Sequence, residues 1–173
     1  MGGPYVTMPC PGISDKTCNA KGLTGPGQAF LNKLMDQGWM IDLDHMSAKG
    51  IDETFNLAKT RGGYPFFIGH GLFNEVYALG RNRHERMRTA AQLAQLRAFG
   101  SVVSVMTQDE LTVGQTTCMH SSISFGQNLT YAASKLDALA FGSDFNGFAP
   151  HVGPRFGPEA CAKNATQGRA QGT

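Results

Sequence analysis

The chain has 173 residues, a formal net charge of +2 and 41% hydrophobic residues, which is enough for one domain with its own core and too little for two ordinary ones. Only 16% of the residues are charged, so the composition excludes a strongly basic nucleic-acid binder and a charge-driven disordered chain. No apolar run reaches the about 18 residues that a transmembrane segment needs. Residues 1–4 are not followed by the cationic stretch and apolar segment of a signal peptide, so we expect either a cytosolic protein or a native start elsewhere.

The chain divides into three predicted regions. Residues 1–22 predict an irregular N-terminal arm, because prolines and glycines recur there without any apolar periodicity. Residues 23–150 hold all the periodic segments and form the predicted core. Residues 151–173 are rich in Gly, Pro, Ala and Gln, which predicts a loop followed by a loose tail.

Helix and strand signals alternate along the core region. Thr24 and Ser47 can cap helices, because apolar residues at helical spacing follow each of them, and a glycine ends each run. Short apolar runs between the helical segments predict strands. Helices are predicted from Thr24, from Ser47, over Thr89–Phe99 and over Gln127–Lys135, and strands over 39–44, 64–68, 101–106 and 138–141.

Short apolar strands that alternate with helices indicate a parallel sheet with helical cover. Each unit has about 30 residues, the length of one βα repeat. The predicted fold class is therefore α/β, with four parallel βα units that amount to half of a (β/α)8 barrel. A small open α/β sheet is the alternative that this pattern leaves open.

Parallel α/β folds build their sites at the carboxyl ends of the strands, where this chain has two histidines. His45 follows the first predicted strand and His70 the second. Adjacent parallel strands lie about 4.8 Å apart, so the two imidazoles can converge on one divalent metal, most readily zinc. The alternative is that each histidine is a hydrogen-bonded structural residue.

Carboxylates accompany the histidines at the strand ends. Asp144 closes the fourth predicted strand, where it could carry a proton from an activated water to a leaving amine. It could equally cap the following loop as an Asx turn. Asp44 precedes His45 and points away from it by strand alternation, so we expect a supporting or outward position rather than ligation.

Four arginines cluster after the second predicted strand. The default interpretation is a solvated junction between a loop and a helix, because the aromatic residues of a nucleic-acid site are missing. The functional alternative is that one arginine reaches over the site and binds a substrate carboxylate through its forked guanidinium. The cluster consists of Arg81, Arg83, Arg86 and Arg88.

The four cysteines form no Cys-x-x-Cys pair, which argues against a zinc knuckle or a thioredoxin-like motif. Cys10 could pair with Cys18, and Cys118 with Cys161. Four free thiols are the alternative.

Three motifs together resemble the membrane (renal) dipeptidase-like metallopeptidases of the amidohydrolase superfamily. They are Gly-Trp-Met-Ile-Asp-Leu-Asp-His-Met-Ser at 38–47, Pro-Phe-Phe-Ile-Gly-His at 65–70 and Phe-Gly-Ser-Asp-Phe-Asn-Gly at 141–147. The resemblance covers roughly residues 22–160, and Gly-Pro-Arg-Phe-Gly-Pro at 153–158 resembles a bacterial branch of the family.

The resemblance implies a (β/α)8 barrel in which two zinc ions assist the hydrolysis of a dipeptide bond by water. By motif, His45 and His70 match the two histidine ligands of one zinc. Arg81 matches the arginine that binds the carboxylate of the dipeptide substrate, and Asp144 matches the aspartate that handles the proton. Relatives are often exported or held at the cell surface, which paired cysteines would suit.

The chain also departs from the family pattern. The first-strand His-x-Asp pair is absent, and no strand before residue 24 supplies the bridging glutamate. The chain therefore resembles the C-terminal half of such an enzyme, and we expect it to be inactive or nearly so alone, because two histidines bind zinc weakly. Open sheet edges predict self-association or completion by an N-terminal half-barrel. The alternatives are a non-catalytic α/β binding or scaffold domain and an unrelated α/β interaction module.

Overall fold

The computed structural model describes residues 6–10, 16–77, 84–107, 118, 121–146 and 151–154. Helices and strands alternate through most of these ranges. In chain order the elements are β1 (Thr7–Pro9), β2 (Thr17–Asn19), α1 (Gly25–Asp36), α2 (Ala48–Thr60), β3 (Phe67–Gly71), α3 (Ala90–Ala98), β4 (Val102–Met106), α4 (Ser122–Lys135) and β5 (Leu139–Gly142).

The central sheet consists of β3, β4 and β5 in that order, and all its pairings are parallel. Val103 of β4 pairs with Ile68 on one side and with Leu139 on the other. Helix α3 connects β3 to β4 and helix α4 connects β4 to β5, as parallel neighbours require a crossover connection. The prediction of an α/β fold of parallel βα units is confirmed.

The segment predicted as the first strand pairs with β3 over a shorter length than predicted. The N–H of Phe67 donates to the carbonyl of Ile41 at 2.9 Å, and the N–H of Leu43 donates to the carbonyl of Phe67 at 3.1 Å. The pairing amounts to one isolated parallel bridge. The predicted start at residue 39 was wrong, because Trp39 and Met40 are exposed and the buried residues begin at Ile41.

Side-chain caps start the helices. Thr24, Ser47 and Thr89 each accept a hydrogen bond from the backbone N–H three residues further on, at 3.0–3.3 Å. Helix α4 starts earlier than predicted, because Ser121 caps it. Strand β3 starts later than predicted, at Phe67, because Pro65 has no N–H to donate and the N–H of Phe66 donates to the side chain of Ser101 at 2.9 Å.

One hydrophobic core lies between the sheet and helices α1 to α4. Aromatic rings form its centre, with Phe55, Phe66 and Phe99 in mutual contact at centroid distances of 5.7–5.9 Å. Fully buried residues of α2 and α3 pack against the sheet. This packing holds in place the strand ends that carry the polar residues. These buried residues include Ile51, Phe55, Ala58, Leu93 and Leu96.

The N-terminal region forms a hairpin, so the prediction of an irregular arm over 1–22 was wrong for its described residues. Strands β1 and β2 are antiparallel, with Met8 opposite Cys18. A disulfide joins Cys10 to Cys18, and both cysteines pack against Ala48 at the start of α2. The disulfide stabilises this hairpin in place of a periodic apolar pattern. The periodicity of the sequence therefore gave no indication of the hairpin.

The alternative of four free thiols is excluded, since Cys118 is also disulfide-bonded and the described residues contain no free cysteine. Cys161 lies outside the described residues.

The predicted loop at 151–173 begins against β4, where the N–H of Val152 donates to the carbonyl of Thr107 at 2.9 Å. Residues 155–173 lie outside the described ranges. None of the described helices is long and apolar enough to span a membrane.

Candidate metal and active site

His45 and His70 meet at the carboxyl edge of the sheet. Their Nε2 atoms lie 3.1 Å apart, and their ring centroids lie 4.9 Å apart with the planes inclined by 62°. Two nitrogens that bind one tetrahedral zinc at about 2.0–2.1 Å lie about 3.3–3.4 Å from each other. The structure thus brings these two predicted site residues together, at nearly the separation that a shared zinc requires.

The backbone turns sharply at His45, which has a left-handed conformation with φ at 62°. The N–H of Met46 donates to the carbonyl of Leu43 across this turn at 3.4 Å, and Ser47 then caps α2. Histidine is one of the few side chains enriched in this region of backbone space. His70 instead lies within β3, so one imidazole comes from a tight turn and the other from a strand.

Asp44 anchors His70. Its Oδ2 accepts a hydrogen bond from the backbone N–H of His70 at 2.8 Å and lies 3.6 Å from Nε2 of the same residue. The Oδ1 of Asp42 in turn accepts the N–H of Asp44 at 2.8 Å. A Cβ at Gly69 would lie 2.9 Å from Oδ2 of Asp42, so the carboxylates can approach this backbone only because residue 69 is a glycine.

Negative charge is concentrated beside the histidines. Desolvation by partial burial raises the pKa of the Asp42 carboxyl, and the charge of Asp44 raises it further. Two influences lower the pKa of Asp42 without cancelling the rise. They are hydrogen bonds from the backbone of Asp44 and Gly69, and the electrostatic effect of the nearby His70. A cation bound next to these carboxylates would favour their ionised form, so their chemistry fits a metal at this edge.

Arg86 joins the arginine cluster to the histidine pair, with its Nη1 3.4 Å from Nδ1 of His45. Arg81, the arginine selected by family spacing, lies outside the described residues together with Arg83. Sequence reasoning named Arg86 only as a member of the cluster. No local signal in the sequence singles it out from the other arginines of the cluster.

Arg88 lies behind Arg86 as a buried cation, only 1% exposed. Its Nε and Nη2 donate to the carbonyl of Arg86 at 3.0 and 2.6 Å. Burial lowers the pKa of Arg88 to about 10, with Asp44 and Asp52 opposing this shift. The guanidinium therefore stays charged at neutral pH and contributes a fixed positive charge behind the site.

Asp144 follows the end of β5, at the same edge of the sheet as the histidines but two strands from His70. Its φ is 49°, and its Oδ1 accepts from the side chain of Asn146 at 3.3 Å. The described hydrogen bonds of Asp144 therefore stay within its own loop, and the structure does not bring it into contact with the histidine pair.

Within the described part of the chain, no group of three or more His, Cys, Asp or Glu residues could hold a metal.

Solved structures share this fold. A metallopeptidase from Rhodobacter sphaeroides, liganded with a phosphinate mimic of the dipeptide L-Ala-D-Ala, matches with a TM-score of 0.62 and 23% identity, over 79% of this chain and 37% of that one. Dipeptidase AC matches with a TM-score of 0.62 and 23% identity, over 79% and 38% of the two chains. An amidohydrolase from Pseudomonas aeruginosa matches with a TM-score of 0.58 and 22% identity, over 86% and 41%.

These matches show that the chain has the fold of part of a metallopeptidase barrel, and that it spans about two fifths of the length of these structures. Comparison with curated protein sequences gives no match. Residues 10–154 match the family described as membrane dipeptidase, peptidase family M19. The chain belongs to this family, and its resemblance to the dipeptidase-like metallopeptidases is confirmed.

Proposed function

We propose that this chain contributes the zinc-binding histidines and the substrate-carboxylate arginine of a dipeptidase that cleaves a dipeptide bond with water. The observation that carries the proposal is the 3.1 Å separation of the Nε2 atoms of His45 and His70. Membership of the dipeptidase family supports the reaction class. The Rhodobacter sphaeroides relative holds a dipeptide mimic, which supports a dipeptide as the substrate.

In this proposal each residue has a distinct task. His45 and His70 would hold a zinc ion through Nε2. For His45 this puts the ring proton on Nδ1, so Arg86, which can only donate, would turn away from that nitrogen. Asp44 would fix His70 by accepting its backbone N–H. When bound, the zinc would supply Lewis-acid chemistry toward water and the peptide carbonyl. Asp144 would carry a proton on its carboxylate to the departing amine, which requires it to leave its contact with Asn146.

Arg86 is proposed as the group that binds the terminal carboxylate of the dipeptide. A planar guanidinium can hold a carboxylate through two parallel hydrogen bonds. Arg86 already lies beside His45, so a carboxylate bound there would place the peptide bond of a short substrate near the histidines. Arg81, which the family motif selects for the same role, lies outside the described residues and is the alternative candidate.

We also propose that the chain is inactive or nearly so by itself. Two histidines fall short of the three protein ligands that catalytic zinc sites use. Strand β5 forms one edge of the described sheet, and Phe141 on it is 68% exposed, which favours association with a second copy or with an N-terminal half-barrel that completes the site. The proposal thus has three parts: dependence on zinc, a dipeptide substrate, and association with a second copy or with an N-terminal half-barrel.

Calorimetric zinc titration tests the histidine pair directly. We expect weak zinc binding by the wild type and at least tenfold weaker binding by His45→Asn, which tolerates the left-handed backbone but removes the imidazole. His151→Asn serves as the control, because His151 bonds to Thr107 rather than to the pair. Equal zinc affinity of His45→Asn and the wild type would contradict the proposal.

Dipeptide hydrolysis with added zinc tests the reaction class and the proposed inactivity of the chain alone. We expect no turnover, or turnover far below the 1–10³ s⁻¹ or so of ordinary enzymes, from the chain alone. Turnover in the ordinary range would refute its inactivity while supporting the reaction class. Absence of zinc binding altogether would instead favour the non-catalytic α/β binding or scaffold domain.

A further inference from the structure

Glu85 connects three segments that are distant in sequence. One of its carboxylate oxygens, Oε2, accepts hydrogen bonds from the backbone N–H groups of Asn19 and Ala48, both at 3.2 Å. Asn19 directly follows Cys18 at the end of the disulfide-linked hairpin, and Ala48 is the first residue of α2. The partial positive charge at a helix N-terminus favours a carboxylate at that place. A single side chain thus ties the hairpin and α2 to the loop that carries Arg86.

Arg86 is held from its other side by Arg88. The guanidinium of Arg88 donates twice to the carbonyl of Arg86. The backbone of Arg88 lies beside the extension of β3, where its N–H donates to the carbonyl of Leu72 at 2.7 Å and its carbonyl accepts the N–H of Asn74 at 3.0 Å. Arg86 is therefore fixed on one side to the sheet and on the other, through Glu85, to the hairpin.

We propose that Glu85 is a positioning residue that transmits the placement of the Cys10–Cys18 hairpin to Arg86 and so sets where its guanidinium lies beside His45. An isolated two-stranded hairpin is marginal in water, and the disulfide keeps this one in place as a donor to Glu85. For its catalytic importance the inference rests on the proposed function, because the position of Arg86 affects turnover only if Arg86 binds substrate.

Glu75 provides a matched control. Its Oε1 accepts the N–H of Ala90, the first residue of α3, at 2.8 Å, and its Oε2 accepts from the hydroxyl of Tyr131 at 3.0 Å. Glu75→Ala therefore removes a carboxylate from the start of a helix, as Glu85→Ala does. It leaves the link between the hairpin and Arg86 intact, so it reports the effect of a helix-start contact alone.

The test measures nuclear Overhauser contacts between the Arg86 side chain and the His45 ring, together with exchange of the Asn19 and Ala48 amide hydrogens. We expect the contact in the wild type and in Glu75→Ala, and its loss in Glu85→Ala and in the double variant Cys10→Ala/Cys18→Ala. We expect the two amides to exchange about tenfold faster in Glu85→Ala, as the loss of a hydrogen bond to a charged group implies. Glu85→Gln keeps an acceptor oxygen of the same shape, so it should retain part of the contact even where Glu85→Ala folds poorly.

Any of three results would overturn the inference. The Arg86–His45 contact could be absent from the wild type, survive in Glu85→Ala, or be lost equally in Glu75→Ala. Zinc titration and dipeptide binding by the same variants separate this outcome from the fate of the proposed function. Glu85→Ala should bind a dipeptide with a free carboxylate about tenfold more weakly than the wild type, with little change for the carboxamide analogue. A wild type that binds no zinc but shows the expected contacts would refute the function and leave the positioning role supported.

Discussion

The carboxylate of Asp44 contacts His70 at two points, accepting the backbone N–H at 2.8 Å and lying 3.6 Å from Nε2 of the ring. Since the same residue precedes His45 in sequence, Asp44 is linked to both histidines. The pair is therefore not two independent side chains that happen to converge. Its geometry depends on one carboxylate held between the two chain segments.

Asp44→Asn should weaken zinc binding without unfolding the chain. Asp44 hydrogen-bonds the backbone of one proposed metal ligand and lies beside its Nε2. Loss of such a supporting partner typically lowers metal affinity by about 10- to 100-fold, and the neutral amide also lowers the negative potential at the site. Calorimetric titration with zinc measures the effect. Asp137→Asn, which alters an exposed pair with Arg97, should bind zinc like the wild type, and equal affinities of both variants would contradict the role of Asp44.

Gly142→Ala should destabilise the sheet. A Cβ at this position would collide with the carbonyl oxygen of Gly69 and would lie 2.8 Å from Cβ of Ser104, so the strands must shift at a cost of about 1–3 kcal/mol. Gly126→Ala is the matched control in α4, because a Cβ there would meet nothing within 4 Å. It should stabilise the helix by about 0.5–1 kcal/mol. Urea unfolding measures both free energies, and a Gly142→Ala variant as stable as the wild type would show that the strands are not in close contact at this position.

Replacement of Cys10 and Cys18 by alanine should lower the free energy of unfolding by roughly 2–3 kcal/mol, because the disulfide closes a short loop in the unfolded chain. The double variant is preferable to a reducing agent, since Cys118 is also disulfide-bonded and a reductant would act on that bond as well. Alanine avoids placing a hydroxyl at the fully buried position of Cys18. An unchanged unfolding midpoint in denaturant would mean that the hairpin does not support the rest of the fold.

His84 should make the fold less stable as the solution becomes acidic. Burial, together with the positive charges of Arg86 and Arg88, lowers the pKa of His84 from 6.5 to about 4. Between these values the unfolded chain binds a proton that the folded chain does not, so stability is full above pH 6.5 and falls as the pH drops toward 4. Because His84 is half-buried and partly screened by water, the loss should be on the order of 1–2 kcal/mol.

The His84→Gln variant isolates this contribution. The raised pKa of Asp42 acts in the opposite direction at the acidic end of the range, because a carboxyl with a raised pKa binds its proton more readily in the folded state. Denaturant unfolding at several pH values should therefore show a smaller loss of stability toward low pH in His84→Gln than in the wild type. Parallel stability curves for the two proteins would contradict the lowered pKa.

Local signals in the sequence were sufficient for most of the architecture. The caps at Thr24, Ser47 and Thr89 are short-range features, and the structure uses all three. The convergence of His45 and His70 could be anticipated because strand ends meet at one edge of a parallel sheet. The Cys10–Cys18 disulfide that the sequence left open is present, but the antiparallel strands around it were not predicted, because their residues lack any periodic pattern.

The position of Arg86 beside His45 could not be predicted from the local sequence. Four arginines lie within a few residues of one another, and family spacing selects Arg81, which lies outside the described residues. The backbone path that carries Arg86 is fixed by the pairing of Arg88 with the extension of β3 and by the hydrogen bonds of Glu85. Both are long-range contacts, which no local pattern of residues indicates.

The left-handed backbone at residue 45 restricts how this site can change over generations. Few residue types occupy such a conformation without strain, chiefly glycine, asparagine, aspartate and histidine. A lineage that no longer needs the imidazole would therefore drift toward asparagine, aspartate or glycine there, while a branched residue such as valine would disturb the turn itself. Descendants that lost the metal chemistry could in this way retain the start of the helix that follows.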